Sequence, residues 1–139
     1  MKFDIEYFKK LLETFEKIDD ISITVFDLQK EGYDLEDKNL PFHLDLMNDK
    51  DFLKAKTDKA NYVGYQRSTN GDIRWGSVSL RLTAQGHEFL AQLKEPEVWS
   101  KIKEQFKESG IDAVKTAAKE LTTILIKKKI KDVFGSENS

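Results

Sequence analysis

Apolar positions in the first segment of the chain recur at helical spacing, with Phe3, Tyr7, Phe8, Leu11, Leu12, Phe15 and Ile18 on one broad face. Asp4 stands where a helix cap belongs, and Asp19 and Asp20 mark the end. The period then changes. Ile21, Ile23 and Val25 alternate, which predicts a strand from Ile21 to about Leu28, while Thr24 with Asp27 is also the pattern that caps a short helix. A brief turn at Leu35 to Lys38 leads into a helix from about Leu40 to Asn48, with Leu40, Leu44 and Met47 inward and Pro41 in the first turn. Asp49 and Lys50 turn the chain into a short strand from Phe52 to Lys56. Tyr62 to Arg67 and Asp72 to Val78 read as a hairpin joined through Asn70-Gly71, a pair that tolerates positive φ.

The run LTAQGHEFLAQLKEPEVW carries the clearest helical signals. Thr83 can cap a helix whose inward positions are Gly86, Phe89, Leu90 and Leu93. A glycine inside a helix costs about 1 kcal/mol relative to alanine, so Gly86 predicts a close backbone approach. Pro96 starts a further helix with Val98, Trp99, Ile102 and Phe106 as its stripe, ended by Ser109 and Gly110. Ile111 to about Val133 is a long helix with a wide apolar stripe through Val114, Ala117, Ala118, Leu121, Ile124, Leu125, Ile130 and Val133. Leu121 and Leu125 are its candidate interface residues, for packing on the domain or in a homodimer. The elements add up to an α+β fold: a winged-helix-like core with a small antiparallel sheet over residues 1–93, two additional C-terminal helices over 94–134, and a flexible tail over 135–139.

With 139 residues, of which 39% are apolar, the chain can bury one modest core and a small annex. No apolar run suits an export signal or a membrane span, and zero cysteines exclude disulfides and thiolate chemistry, so a cytoplasmic setting without membrane contact is expected. The net charge of -2 is unevenly spread. Residues 1–60 hold 10 basic and 15 acidic groups, whereas residues 61–134 hold 13 and 9. General phosphate binding by the whole chain is therefore disfavoured, and any nucleic-acid contact needs a local patch.

Catalytic chemistry finds little support. HEFLA lacks the second histidine of a zinc-hydrolase motif, no Gly-rich phosphate loop or nucleophile elbow occurs, and His43 and His87 have only carboxylates that project in other directions. No enzyme activity, cofactor or metal is expected. Lys127, Lys128, Lys129 and Lys131 suit the negative end of a helix dipole.

Three segments, GYDLEDKNLPFHLDLMNDKDFLKA, LTAQGHEFL and PEVWSKIKEQFKESG, together resemble the DUF2513 family of small bacterial and phage or prophage proteins. The resemblance extends over most of residues 1–125 and rests on Gly32-Tyr33, His43, Gly86-His87-Glu88 and Trp99. It implies a winged-helix core followed by helices, and a setting on a mobile genetic element. Pro41 ahead of His43 and Asp49-Lys50 in place of an alanine-glycine turn depart from the family pattern, the first predicting an interrupted recognition helix.

In a winged helix the second helix of the turn motif enters the major groove and the wing reaches neighbouring phosphates. Lys38, Asn39 and His43 would lie on that helix, and Arg67, Ser68, Asn70 and Arg74 on the wing. Double-stranded DNA is the expected partner, in a regulatory or accessory role. The alternative is a module that keeps the winged shape, lacks DNA affinity and binds an unidentified protein, since Asp34, Glu36, Asp37 and Asp45 surround the same element.

Overall fold

The computed structural model describes residues 1–135. The chain divides into two compact units, one of Met1 with Glu6–Glu88, the other of Lys2–Ile5 with residues from Phe89 onward.

In the first unit, α1 (Ile5–Lys17, its first residue apart) buries Phe8, Leu11, Leu12 and Phe15. The strand expected from Ile21 to Leu28 is replaced by one extended residue and a helix. Ile23 alone bridges to Leu80, exchanging N–H···O bonds of 2.9 and 2.7 Å. Then α2 (Val25–Lys30) begins on a capping box in which Thr24 accepts from Phe26 N and Asp27 accepts from Thr24 N at 2.9 Å. Such a cap contributes about 1 kcal/mol locally, enough to override an alternation carried by so few residues.

Next, α3 (Asn39–Asp49) runs uninterrupted, because Pro41 sits in the first turn, where its missing N–H has no intrahelical partner to lose. Leu40, Leu44 and Met47 are fully buried as expected. Each such side chain contributes roughly 1.5–3 kcal/mol on leaving water. Strand β1 (Leu53–Lys56) follows, then the hairpin β2 (Tyr65–Arg67) and β3 (Ile73–Trp75), then β4 (Ser79–Leu82). The hairpin strands are shorter than the expected 62–67 and 72–78. After Gly76, whose N–H is held by Gly64 O at 2.7 Å, the chain leaves β2 and pairs with β1 instead. There are thus two two-stranded antiparallel sheets among the described residues. The order Ile23, β4, β1 across the main sheet, with the hairpin inserted between β1 and β4, is winged-helix connectivity.

Helix α4 (Ala84–Lys94) starts in the first unit and ends in the second. Thr83 Oγ1 accepts from Gly86 N at 3.1 Å, and a Cβ on Gly86 would run into the backbone carbonyl of Phe52. The close approach inferred from the glycine is this one.

In the second unit, α5 (Pro96–Gln105) has Pro96 at its start and packs on α6 (Ile111–Gly135). It closes at Phe106, earlier than Ser109 and Gly110, through Phe106 N to Ile102 O at 2.9 Å. Val98, Ile102, Ile111, Val114, Ala117 and Ala118 are buried. Of the α6 stripe, expected to pack on the domain, on its helical neighbour or on a second subunit, the part up to Ala118 is buried within the chain. Leu121 and Leu125 are half-buried, while Ile124, Ile126 and Ile130 are 64%, 50% and 52% exposed. Four residues of the predicted tail, 136–139, lie outside the described residues.

Candidate functional site

The element that would read DNA is α3, and its side chains are mostly committed to the fold. It contains no lysine or arginine, and its charges are Asp45 and Asp49. Only Asp49 is exposed along its length. Lys38, at the cap position, is exposed and makes no capping bond. The Asp37 carboxylate caps instead, accepting from the Asn39 backbone N at 2.9 Å and the Asn39 side-chain amide at 3.1 Å.

His43 is a core residue. It is 0% exposed, and its Nδ1 lies 2.7 Å from the Asn39 carbonyl, which requires a proton on Nδ1. Its ring sits 4.5 Å from Tyr7 and 5.1 Å from Phe42. The helical spacing that put His43 near the start of α3 also put it on the inward face beside Leu40, Leu44 and Met47, so it cannot belong to a nucleic-acid surface.

The hairpin is tied down on α3. Tyr65 donates its hydroxyl to Asp45 Oδ2 at 2.5 Å, and Trp75 Nε1 donates to the Leu35 carbonyl at 2.8 Å. Tyr65 and Trp75 are register partners with ring centroids 5.6 Å apart, a structural cross-strand pair. The hydrogen bond to Asp45, then burial, push the Tyr65 phenol up to about 12. Burial holds the Asp45 carboxyl above its ordinary range, with Asp49 adding to the effect and the Tyr65 bond opposing it. Between them lies an open groove of about 660 Å³ lined by Asp45, Asp49, Tyr62, Tyr65 and Arg67.

The wing residues are dispersed. Ser68 and Asn70 hydrogen-bond each other, and Ser68 Oγ accepts from Asp72 N at 3.1 Å, so both serve the turn. Arg67 pairs in register with Ile73 and Arg74 with Gln66, which sets the two arginines on opposite faces of the hairpin. Arg67 also donates to the Gly71 carbonyl at 2.9 Å. Of the residues assigned from sequence to a DNA surface, Lys38, Arg67 and Arg74 are exposed cations, and they do not form one patch by pairing or register.

The concentrated positive charge of this unit lies elsewhere. Alternation along β1 and β4 turns Leu53, Leu80 and Leu82 inward and Lys54, Lys56 and Arg81 outward, with Lys54 directly opposite Arg81. The signal was the alternating LKAK and SLRL patterns, legible only once the two segments are known to pair. No group of three or more metal-ligating side chains converges among the described residues.

The DUF2513 profile, described as a hypothetical protein family, matches residues 2–112. The chain belongs to the DUF2513 family. No curated protein and no solved structure matches it. The matched span of this DUF2513 chain takes in α1 through α5 and the start of α6, so both sheets belong to the family portion. No described helix is long and apolar enough to cross a membrane.

Proposed function

We propose that this DUF2513 protein is a protein-interaction module on a winged-helix scaffold, with no specific affinity for duplex DNA. The observation that carries the reading is the state of α3: acidic, without a cation, and exposed only at Asp49. Phosphate contacts supply nearly all non-specific and much of specific DNA affinity, and this helix has no lysine or arginine to make them while adding two carboxylates. The clasp of Tyr65 and Trp75 further engages the wing with α3 and the loop before it. A role in regulation of a mobile element remains compatible with such a module, acting through a protein partner.

The deciding experiment is a fluorescence anisotropy titration of the full chain against random and native-locus duplexes at low and physiological salt. The expected result is no saturable binding at physiological salt. Saturable binding whose affinity falls by about 10³ or more between 50 and 200 mM salt, as for a protein making several phosphate contacts, would overturn the reading.

A homodimer is proposed at the end of α6, supported by the exposed Ile126 and Ile130.

A further inference from the structure

We propose that the outer face of the β1/β4 sheet docks an acidic, extended peptide segment of a partner protein. Lys54, Lys56 and Arg81 hold it and Ile21 supplies an apolar seat; the proposal rests on the protein-interaction reading and gives it a surface.

The sheet face has a composition that folding alone does not favour. Lys54 and Arg81 are register partners, and like charges directly opposite one another weaken a sheet. Among the described residues none of Lys54, Lys56 and Arg81 has a carboxylate partner; Arg81 donates only to the Leu82 carbonyl at 3.3 Å. The three cations, with Ser22 and Ser79, line a groove of about 370 Å³ that has no acidic residue in its lining. Ile21, at its rim, is 89% exposed, a high exposure for a large aliphatic side chain.

Lysines on an edge strand commonly guard against unwanted strand pairing, and this would account for Lys54 and Lys56 on β1. It does not account for Arg81. Strand β4 has β1 on one side and the Ile23 bridge on the other, so Arg81 has no edge to guard.

The charge calls for an anion, and its surroundings favour a peptide over nucleic acid. An adjoining groove shares Ile21, Ser22 and Arg81 but brings three carboxylates, Glu16, Asp19 and Asp20, to the same surface against one further lysine, Lys17, which is itself paired with Glu31 at 2.9 Å. A duplex carries phosphates past any short patch and would meet those carboxylates. A few residues of extended peptide would not. Alternate side chains of such a peptide repeat every two residues, about 6.8 Å, which is the spacing of Lys54 and Lys56 along β1. An aliphatic side chain of the peptide would cover Ile21, which a phosphate backbone has no use for.

The test is an NMR titration of the isotopically labelled full chain with a synthetic Glu-Ser-Glu-Ser-Leu peptide, whose two carboxylates and leucine share one face when extended, with affinity read by anisotropy. Saturable binding is expected, with amide shifts concentrated at Ile21, Lys54, Lys56 and Arg81. The variant K54E/K56E/R81E should bind about tenfold or more weakly, as when charges facing an acidic ligand are reversed. K127E/K128E/K129E, which reverses an equal number of charges on α6, should bind as the parent does. Should the triple sheet variant fail to fold, Arg81→Gln carries the test, since it removes one charge and leaves the backbone ladder. No saturable peptide binding, or shifts centred on Lys127 to Lys131 with loss in the α6 variant, would overturn the proposal. A random-sequence duplex run in parallel separates the two readings. Failure of peptide and duplex alike removes this docking site alone, whereas duplex binding at the sheet residues removes the protein-interaction reading as well.

Discussion

The Tyr65 hydroxyl lies 2.5 Å from the Asp45 carboxylate, joining the hairpin to α3 across twenty residues of sequence. Removing the hydroxyl leaves a half-buried carboxylate without its donor. Tyr65→Phe should therefore destabilise the fold by about 1–3 kcal/mol, with Asp45→Asn milder because an amide still accepts from the phenol. Urea unfolding of both variants checks this, and unchanged midpoints would remove the clasp as a stabilising contact.

The same pair sets two pH dependences. A folded-state value above the ordinary one means stability present at lower pH and lost as pH rises through the folded value. For Asp45 the loss begins as pH climbs out of the ordinary carboxylate range, so Asp45→Asn should flatten the acid side of the stability profile. For Tyr65 the contribution is intact below pH 10 and is lost as pH rises through about 12. Phenolate absorbance in an alkaline titration should show Tyr65 ionising late, and earlier in Asp45→Asn.

Gly86→Ala opposes two effects of known sign. Alanine gains about 1 kcal/mol of helix propensity. Its Cβ would collide with the Phe52 carbonyl, a backbone atom that also accepts from Thr83 N at 3.0 Å and so cannot simply move aside. Overpacking of this kind costs about 1–3 kcal/mol, so a net loss of stability is expected in thermal unfolding. A stabilised variant would mean that the Phe52 backbone can move away from α4 at Gly86.

The end of α6 supplies the test of self-association. Ile126 and Ile130 are half exposed and one helical turn apart, so replacing both with lysine should dissolve a dimer and remove the concentration dependence of the unfolding midpoint, while leaving the midpoint of the dilute monomer unchanged. Leu121→Asp is a poorer probe, because Leu121 is half-buried within the chain and a charge there would weaken the fold itself. Sedimentation velocity on the parent should show concentration-dependent mass. A parent that stays monomeric at every accessible concentration removes the dimer.

Electrostatic tests around α3 are constrained by local bonding. Asp34 accepts from Glu36 N, Asp37 caps Asn39, and Asp45 is clasped by Tyr65, so neutralising them together would perturb loops as well as charge. Glu36 and Asp49 are exposed positions better suited to probing a surface.

By itself the sequence determined what depends on neighbours a few residues apart. The amphipathic α1, the inward Leu40, Leu44 and Met47, the Asn70-Gly71 hairpin, the Thr83 cap and the two closing helices all follow from local periodicity and turn chemistry. Gly86 announced a close approach without naming Phe52 as what approaches. Tertiary structure decided everything that depends on which surfaces meet. The bridge of Ile23 to Leu80 and the stacking of Tyr7 on the buried His43 join segments far apart in the chain, which no local pattern announces. The opposite faces of Arg67 and Arg74, and the pairing of Lys54 with Arg81, are properties of register, which is set when two distant segments bury their leucines together and so commit the alternate residues to solvent.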